Sequence, residues 1–276
     1  MSFRRPLVVL AASGLFLSGC DRQEPTDPLV EIPPAIEAPS APRTVPVVTV
    51  LDRGALLTEL REAASAYAAQ SRPDVADPLV GKRFSVSIAF GCSGPEPVVE
   101  GQAEGLARAT RGPEGRAIQL SMTPGDWTTS ALVGGSGGEA WEAVEGFWIT
   151  RPWMEQPGCP GATADPLASG PVAPSPQTFG LAAVFDAGGS RLDRRNGRAY
   201  VVSVRPEGEA DVVEFPGQGY RLRLQGRMGA FPDGRAIRCR SAGPEQRPVC
   251  IAAVRLDRVA FEDAEGSSLA EWRVGG

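Results

Sequence analysis

No histidine occurs anywhere in the 276 residues. Its absence excludes Ser-His-Asp and Cys-His activation of a nucleophile, His-ligated zinc, and the side chain that ordinarily exchanges protons near neutrality. Lysine is nearly absent too. Lys82 is the only one among 28 basic residues, and no Ser-x-x-Lys leads up to it, so a Ser-Lys dyad is not expected either. Positive charge is not in surplus, since 33 acidic residues give a formal net charge of −5. Nucleic acid and anionic headgroups call for clustered cations, so no nucleic-acid partner is expected. The near-exclusive use of arginine, beside raised alanine, glycine and proline, reads as the codon bias of a GC-rich genome.

What remains suffices for a core. The chain is 42% apolar and 22% charged, an ordinary globular balance. The 33 glycines and 26 prolines fall unevenly, and so locate loops and a linker.

Met1 to Arg5 is short and basic, and Pro6 to Gly19 is an apolar run too short to span a bilayer. The run ends in Leu17-Ser18-Gly19-Cys20. An apolar residue, two small ones and a cysteine in this context resemble the lipobox of bacterial lipoproteins. The resemblance covers only the stretch from Met1 to Cys20. It implies a signal peptide over 1–19, cleavage before Cys20, diacylglycerol on its sulfur and acylation, such as palmitate, on its new amino group. Two or three acyl chains meet the requirement for stable attachment to a membrane. Asp21 resembles the residue that retains lipoproteins in the inner membrane, with the outer membrane as the alternative; the domain would then face the periplasm. Removing Arg4 and Arg5 leaves 26 basic against 33 acidic residues, or −7. Residues 21–46 carry seven prolines and little apolar periodicity, which reads as a tether (20–46 with its lipid anchor) reaching up to roughly 80 Å.

The folded part is expected over 47–276. Asp52 is placed to N-cap a helix over 53–70, with Leu56, Leu60, Ala63 and Tyr67 at helical spacing and Leu57 and Ala64 widening the stripe. From Lys82 the period becomes two. Phe84, Val86, Ile88 and Phe90 alternate, as do Ile118, Leu120 and Met122 after a Gly/Pro turn at 112–115. Further strands are expected over 144–150, at Phe179 to Phe185, Tyr200 to Val204 and Tyr220 to Leu224, and as a final hairpin over 235–240 and 249–261. The fold class is therefore mainly β: an antiparallel sandwich or barrel-like domain with one N-terminal amphipathic helix. The long Pro-rich stretch at 154–177 holds six prolines. It is read as a loop inside one domain, with a boundary between two small β units as the alternative.

Besides Cys20 there are four cysteines, Cys92, Cys159, Cys239 and Cys250. An even number in the oxidising compartment that the leader implies points to two disulfides. Cys239 and Cys250 sit at facing ends of the last hairpin and should pair, which leaves Cys92 with Cys159. No Cys-x-x-Cys spacing supports a metal site, and no cofactor is expected.

Other motifs are weak. Gly134-Gly135-Ser136-Gly137-Gly138 fits G-x-S-x-G without the histidine or the strand-to-helix turn that this chemistry needs, and reads as a loop. Gly135, Gly137 and Ala140 half-match a dinucleotide fingerprint with no βαβ unit around them. Carboxylates are the only acid–base candidates: Asp257, Glu262 and Asp263 near the last strand, and Asp186 and Asp193 about a Gly-rich turn. None has a diagnostic spacing, and solvated loop charge explains them. The feature that stands out is aromatic. Trp141, Trp148 and Trp153 fall close together, with Arg151 among them. If Phe147 and Ile149 face the core, Trp148 points outward, and Trp153 follows a proline at the strand's end. An indole platform beside an arginine suits stacking on a sugar ring or a protein hot spot, with ordinary core or rim packing of the tryptophans as the competing reading. The expectation is a membrane-anchored envelope lipoprotein serving as a non-catalytic binding or assembly module for a protein partner or cell-wall glycan. The alternative is a carboxylate-dependent glycan hydrolase.

Overall fold

Asp52 starts the helix where its spacing predicts: its Oδ1 accepts a 2.8 Å hydrogen bond from the Ala55 amide. Helix α1 (Arg53–Ala68) then runs for 16 residues, ending two before the expected bound. Leu56, Leu57 and Leu60 are completely buried. Each such leucine contributes roughly 1.5–3 kcal/mol, so packing rather than propensity holds a helix of this length in place. The structure, a computed structural model, describes residues 49–71, 76–97, 104–134, 141–160, 175–189, 194–208 and 211–274. All of them belong to the unit Val47–Gly276. The leader, Cys20, Asp21, the tether, Asp193, most of the glycine-rich motif and the middle of the Pro-rich loop lie outside the described residues.

Eleven strands follow among the described residues: β1 (Arg83–Phe90), β2 (Ala107–Arg111), β3 (Ile118–Met122), β4 (Gly125–Asp126), β5 (Trp141–Trp148), β6 (Phe179–Asp186), β7 (Tyr200–Val204), β8 (Tyr220–Met228), β9 (Ile237–Arg240), β10 (Val249–Glu262) and β11 (Ser268–Arg273). They form two sheets. The larger has the order β1-β8-β10-β6-β5-β4, with β9 and β11 also on β10; the smaller has the order β2-β3-β7. Among the described residues the chain forms the expected mainly β sandwich with one helix. One pair departs from an all-antiparallel arrangement, since β10 runs parallel to β6 over Cys250–Val254. Their side chains are buried on both faces, as parallel strands generally require.

Side-chain parity explains how both faces are filled. Along β10, Cys250, Ala252, Val254 and Leu256 point into the main core, whereas Ile251 and Ala253 point the other way. A bulge between Leu256 and Arg258 then changes the parity, so that Val259 and Phe261 return to the main core. That core also holds the leucines of α1, Phe84 to Phe90 of β1, and Ile118, Leu120, Met122 and Tyr200 of the small sheet. The opposite face of the large sheet has its own cluster, built from Trp127, Val133, Trp141, Val144, Ala182, Val184 and Phe231. Trp127 lies against Gly146 and Gly180, where side chains would collide with its ring: a Cβ on Gly146 would fall 2.0 Å from its Cε2. Glycine inside a strand here marks the close approach of an indole.

Both expected disulfides are present. Cys239 and Cys250 face each other across β9 and β10 with Cα atoms 4.0 Å apart. Cys92, just past β1, joins Cys159 in the loop after β5 at 5.4 Å.

Candidate functional site

The chain leaves the large sheet after β5 and turns sharply through residues 149–155. Ile149 is buried, Arg151 adopts a left-handed backbone with φ 49°, and Trp153 stands out at 60% exposure. Two arginines of α1 hold this turn. Arg53, itself only 5% exposed, donates from Nη2 to the carbonyls of Thr150 at 2.7 Å and Arg151 at 2.9 Å. Its Nε reaches Met154 at 2.9 Å and its Nη1 reaches Ser87 at 3.4 Å. Arg61 donates to the Pro152 carbonyl at 3.0 Å and pairs with Glu155 at 3.1 Å. Thus the carbonyls on both sides of Trp153 are bound, and the Cys92–Cys159 bridge ties down the chain that follows. Burial, with Arg151 and Arg61 nearby, lowers the Arg53 pKa to about 10. It stays a cation at neutral pH, the form that can donate to four carbonyls.

The three tryptophans singled out in the sequence do not form one platform. Trp141 is buried, packed edge-on against Phe231 at 5.5 Å between ring centroids. A bulge between Trp141 and Ala143 places it on the same face as Val144. Trp148 does point away from Phe147 and Ile149, but it is half-buried rather than free. Its ring packs on Trp127 at 4.6 Å, and the Gly105 backbone crosses it, accepting its amide hydrogen at 2.8 Å. The outer face of the sheet has a cover of its own. Trp127, the residue that makes it, carries no periodic signal; the glycines at 146 and 180 inside apolar strands were the available clue. Only Trp153, of these four, is an exposed indole.

Arg151 turns from this loop into a cleft of about 390 Å³ shared with Phe90, Cys92, Glu96, Arg108 and Ser175. Its Nη1 donates to the Ala89 carbonyl at 3.1 Å, and its backbone amide donates to Ser175 Oγ. Burial lowers its pKa, and Glu96 acts in the opposite sense.

Three of the candidate carboxylates, Glu262, Asp263 and Asp186, are engaged. Glu262 is buried, with Oε1 2.6 Å from Arg223 Nε. Asp263 accepts the amides of Glu265 and Ser267 in a turn. Asp186 pairs with Arg255 at 2.7 Å. Asp257 occupies the β10 bulge, where its carbonyl accepts the Val274 amide. Sequence reasoning passed over Glu145, which is 6% exposed. Its Oε1 accepts the Asn196 amide at 2.8 Å, and its buried Oε2 has no partner among the described residues. Burial pushes its carboxyl pKa upward, against the pull of the Asn196 and Arg195 backbone and of the Arg195 and Arg194 charges. Among the described residues, no three cysteine, aspartate or glutamate side chains are grouped as metal ligands would be. Compared with known proteins, the chain matches no family model, no curated protein and no solved structure.

Proposed function

We propose that the protein is a lipid-anchored, non-catalytic binding module of the bacterial envelope, tethered through Cys20, whose domain engages another envelope protein through the turn that carries Trp153. The observation that carries this reading is the preorganisation of that turn. An exposed indole is a natural anchor for a partner, and here Arg53, Arg61 and the Cys92–Cys159 bridge have already met the ordering cost. The engagement of Glu262, Asp186 and Asp263 with arginines and turn amides weighs against their use as a hydrolytic pair. A protein is favoured over a glycan because the exposed Trp153 has no second exposed indole among the neighbouring tryptophans with which to sandwich a sugar ring.

The test is photocross-linking from position 153 in native membranes. The expected result is one discrete protein adduct, lost when the cross-linker is moved to exposed Val212. Adducts of equal yield from both positions, or none at 153, would refute the reading. The anchor is tested separately: Cys20→Ser should abolish fatty-acid labelling, and normal labelling of that variant would remove the tether from the proposal.

A further inference from the structure

A cleft opens beside the turn that carries Trp153, lined by Thr150 and Arg151 of that turn but not by Trp153. Arg151 and Arg108 bring two guanidiniums to it, and Glu96 one carboxylate. Glu96 lies 3.6 Å from Arg108, so among the described residues the cleft keeps one positive charge in excess, on the side of Arg151. A guanidinium has five N–H donors. Among the described residues, that of Arg151 uses Nη1 alone, on Ala89. A half-buried cation with donors to spare is costly unless an anion meets it.

The backbone beneath this side chain is set in an unusual way. Arg151 is one of three non-glycine residues at positive φ among the described residues, a conformation that persists only where its surroundings impose it. Arg53 holds its carbonyl and Ser175 its amide, which aims the guanidinium from both ends of the residue. Phe90, Leu106 and Ala107 give the cleft an apolar lining, and Ser93 and Gln177 add polar groups to it. The volume, about 390 Å³, falls in the range of small-ligand sites.

We propose that this cleft binds the free terminal carboxylate of a short peptide. The Arg151 fork matches a carboxylate in shape, and one excess positive charge matches a monoanion. Phosphate would be served by more charge and gains nothing from the apolar lining, which suits a small side chain next to the carboxylate. The Ser93 hydroxyl and the Gln177 amide pair with the peptide backbone. Trp153 itself is not among the residues that line this site.

Saturation-transfer NMR on the mature, lipid-anchored chain tests it, with alanyl-alanine, its C-terminal amide and inorganic phosphate as probes. The free dipeptide should receive saturation and the amide should not. Arg151→Gln should weaken dipeptide binding about tenfold or more, the loss of a charge-assisted pair. Glu96→Gln should tighten it, because that partly exposed carboxylate competes for the guanidiniums. The opposite sign keeps the test decisive if Arg151→Gln fails to fold. Trp153→Ala should leave dipeptide binding unchanged, which separates this site from the partner contact. Equal binding of the amide, displacement by phosphate at equal or lower concentration, an effect of Glu96→Gln in the other direction, or no saturation transfer at all would each overturn the proposal.

Discussion

Gly146→Ala is the sharpest test of how the outer face of the large sheet is held. The three atoms nearest to the new Cβ would all belong to the Trp127 ring, at 2.0, 2.1 and 2.5 Å. Relief to an ordinary contact near 3.4 Å means moving the indole by well over an ångström. The ring has nowhere to go. Trp148 lies at 4.6 Å between centroids on another side, and Gly125 and Gly180 also close on it. Overpacking costs about 1–3 kcal/mol and removing a buried tryptophan about 3–5, so Gly146→Ala should destabilise by about 2–4 kcal/mol. In a Trp127→Ala background the obstacle is gone. There the same change should cost nothing, or stabilise by about 0.5 kcal/mol through the strand preference of alanine over glycine. Gly226→Ala is the control. Its Cβ would meet the Arg255 carbonyl oxygen at 2.0 Å, a backbone collision that Trp127→Ala cannot relieve. Equilibrium urea unfolding of the four cycle members, with m-values compared, measures the coupling. Costs that add to within about 0.5 kcal/mol would show that the glycine is not there for the indole.

The disulfides should differ in worth. Alanine at Cys92 and Cys159, which close a loop of 67 residues, should cost about 4 kcal/mol, and alanine at Cys239 and Cys250, 11 apart, about 3. Urea unfolding checks the order, and the reverse order would refute the loop-closure reasoning. Faster amide exchange just after Trp153 should accompany only the first pair. Glu145 supplies a pH test. Burial raises its folded pKa above 4.5, so its stabilising contribution is complete below that value and is lost as pH rises through the raised folded pKa. Glu145→Gln keeps an acceptor for the Asn196 amide and cannot ionise. It should raise the melting temperature near pH 7 and leave it unchanged near pH 4; an equal shift at both would assign the effect to packing.

Much of the fold was legible because large apolar residues alternate. β1, β3 and β7 each show Phe, Ile, Leu, Val, Tyr or Met at every second position, and β6 and β8 do so except at Ala183 and Gly226. β2 was not legible, since its inward positions are Ala107 and Ala109 and the rest of its sequence is Arg and Thr. β11 was missed because Leu269 and Trp272 are three apart and break the alternation. Exposure was harder to read than direction. Alternation aimed Trp148 outward, but it carries no information about the loop that returns over that face. The arginines were the least legible of all. Composition explains why they are many, yet Arg53, Arg61, Arg238 and Arg240 each bind carbonyls of distant loops, and no local pattern announces a partner so far along the chain. The candidate site followed suit: Trp153 and Arg151 could be singled out by position, whereas Glu96, Arg108 and Ser175 meet Arg151 only through the fold.

The placement of β10 bears on how the chain becomes folded at all. It is the next-to-last strand, yet β6, β8, β9 and β11 all pair with it. During synthesis the β5–β6 and β1–β8 ribbons therefore have no strand that pairs with both until β10 has emerged. The β1–β8 pair itself must close a loop from Arg83 to Arg227. Topologies with such long-range pairing fold slowly. A polypeptide of this design stays pliable while it lengthens. The same dependence makes completion all-or-none: a product that stops short of Val249 would present two open sheet edges and invite proteolysis.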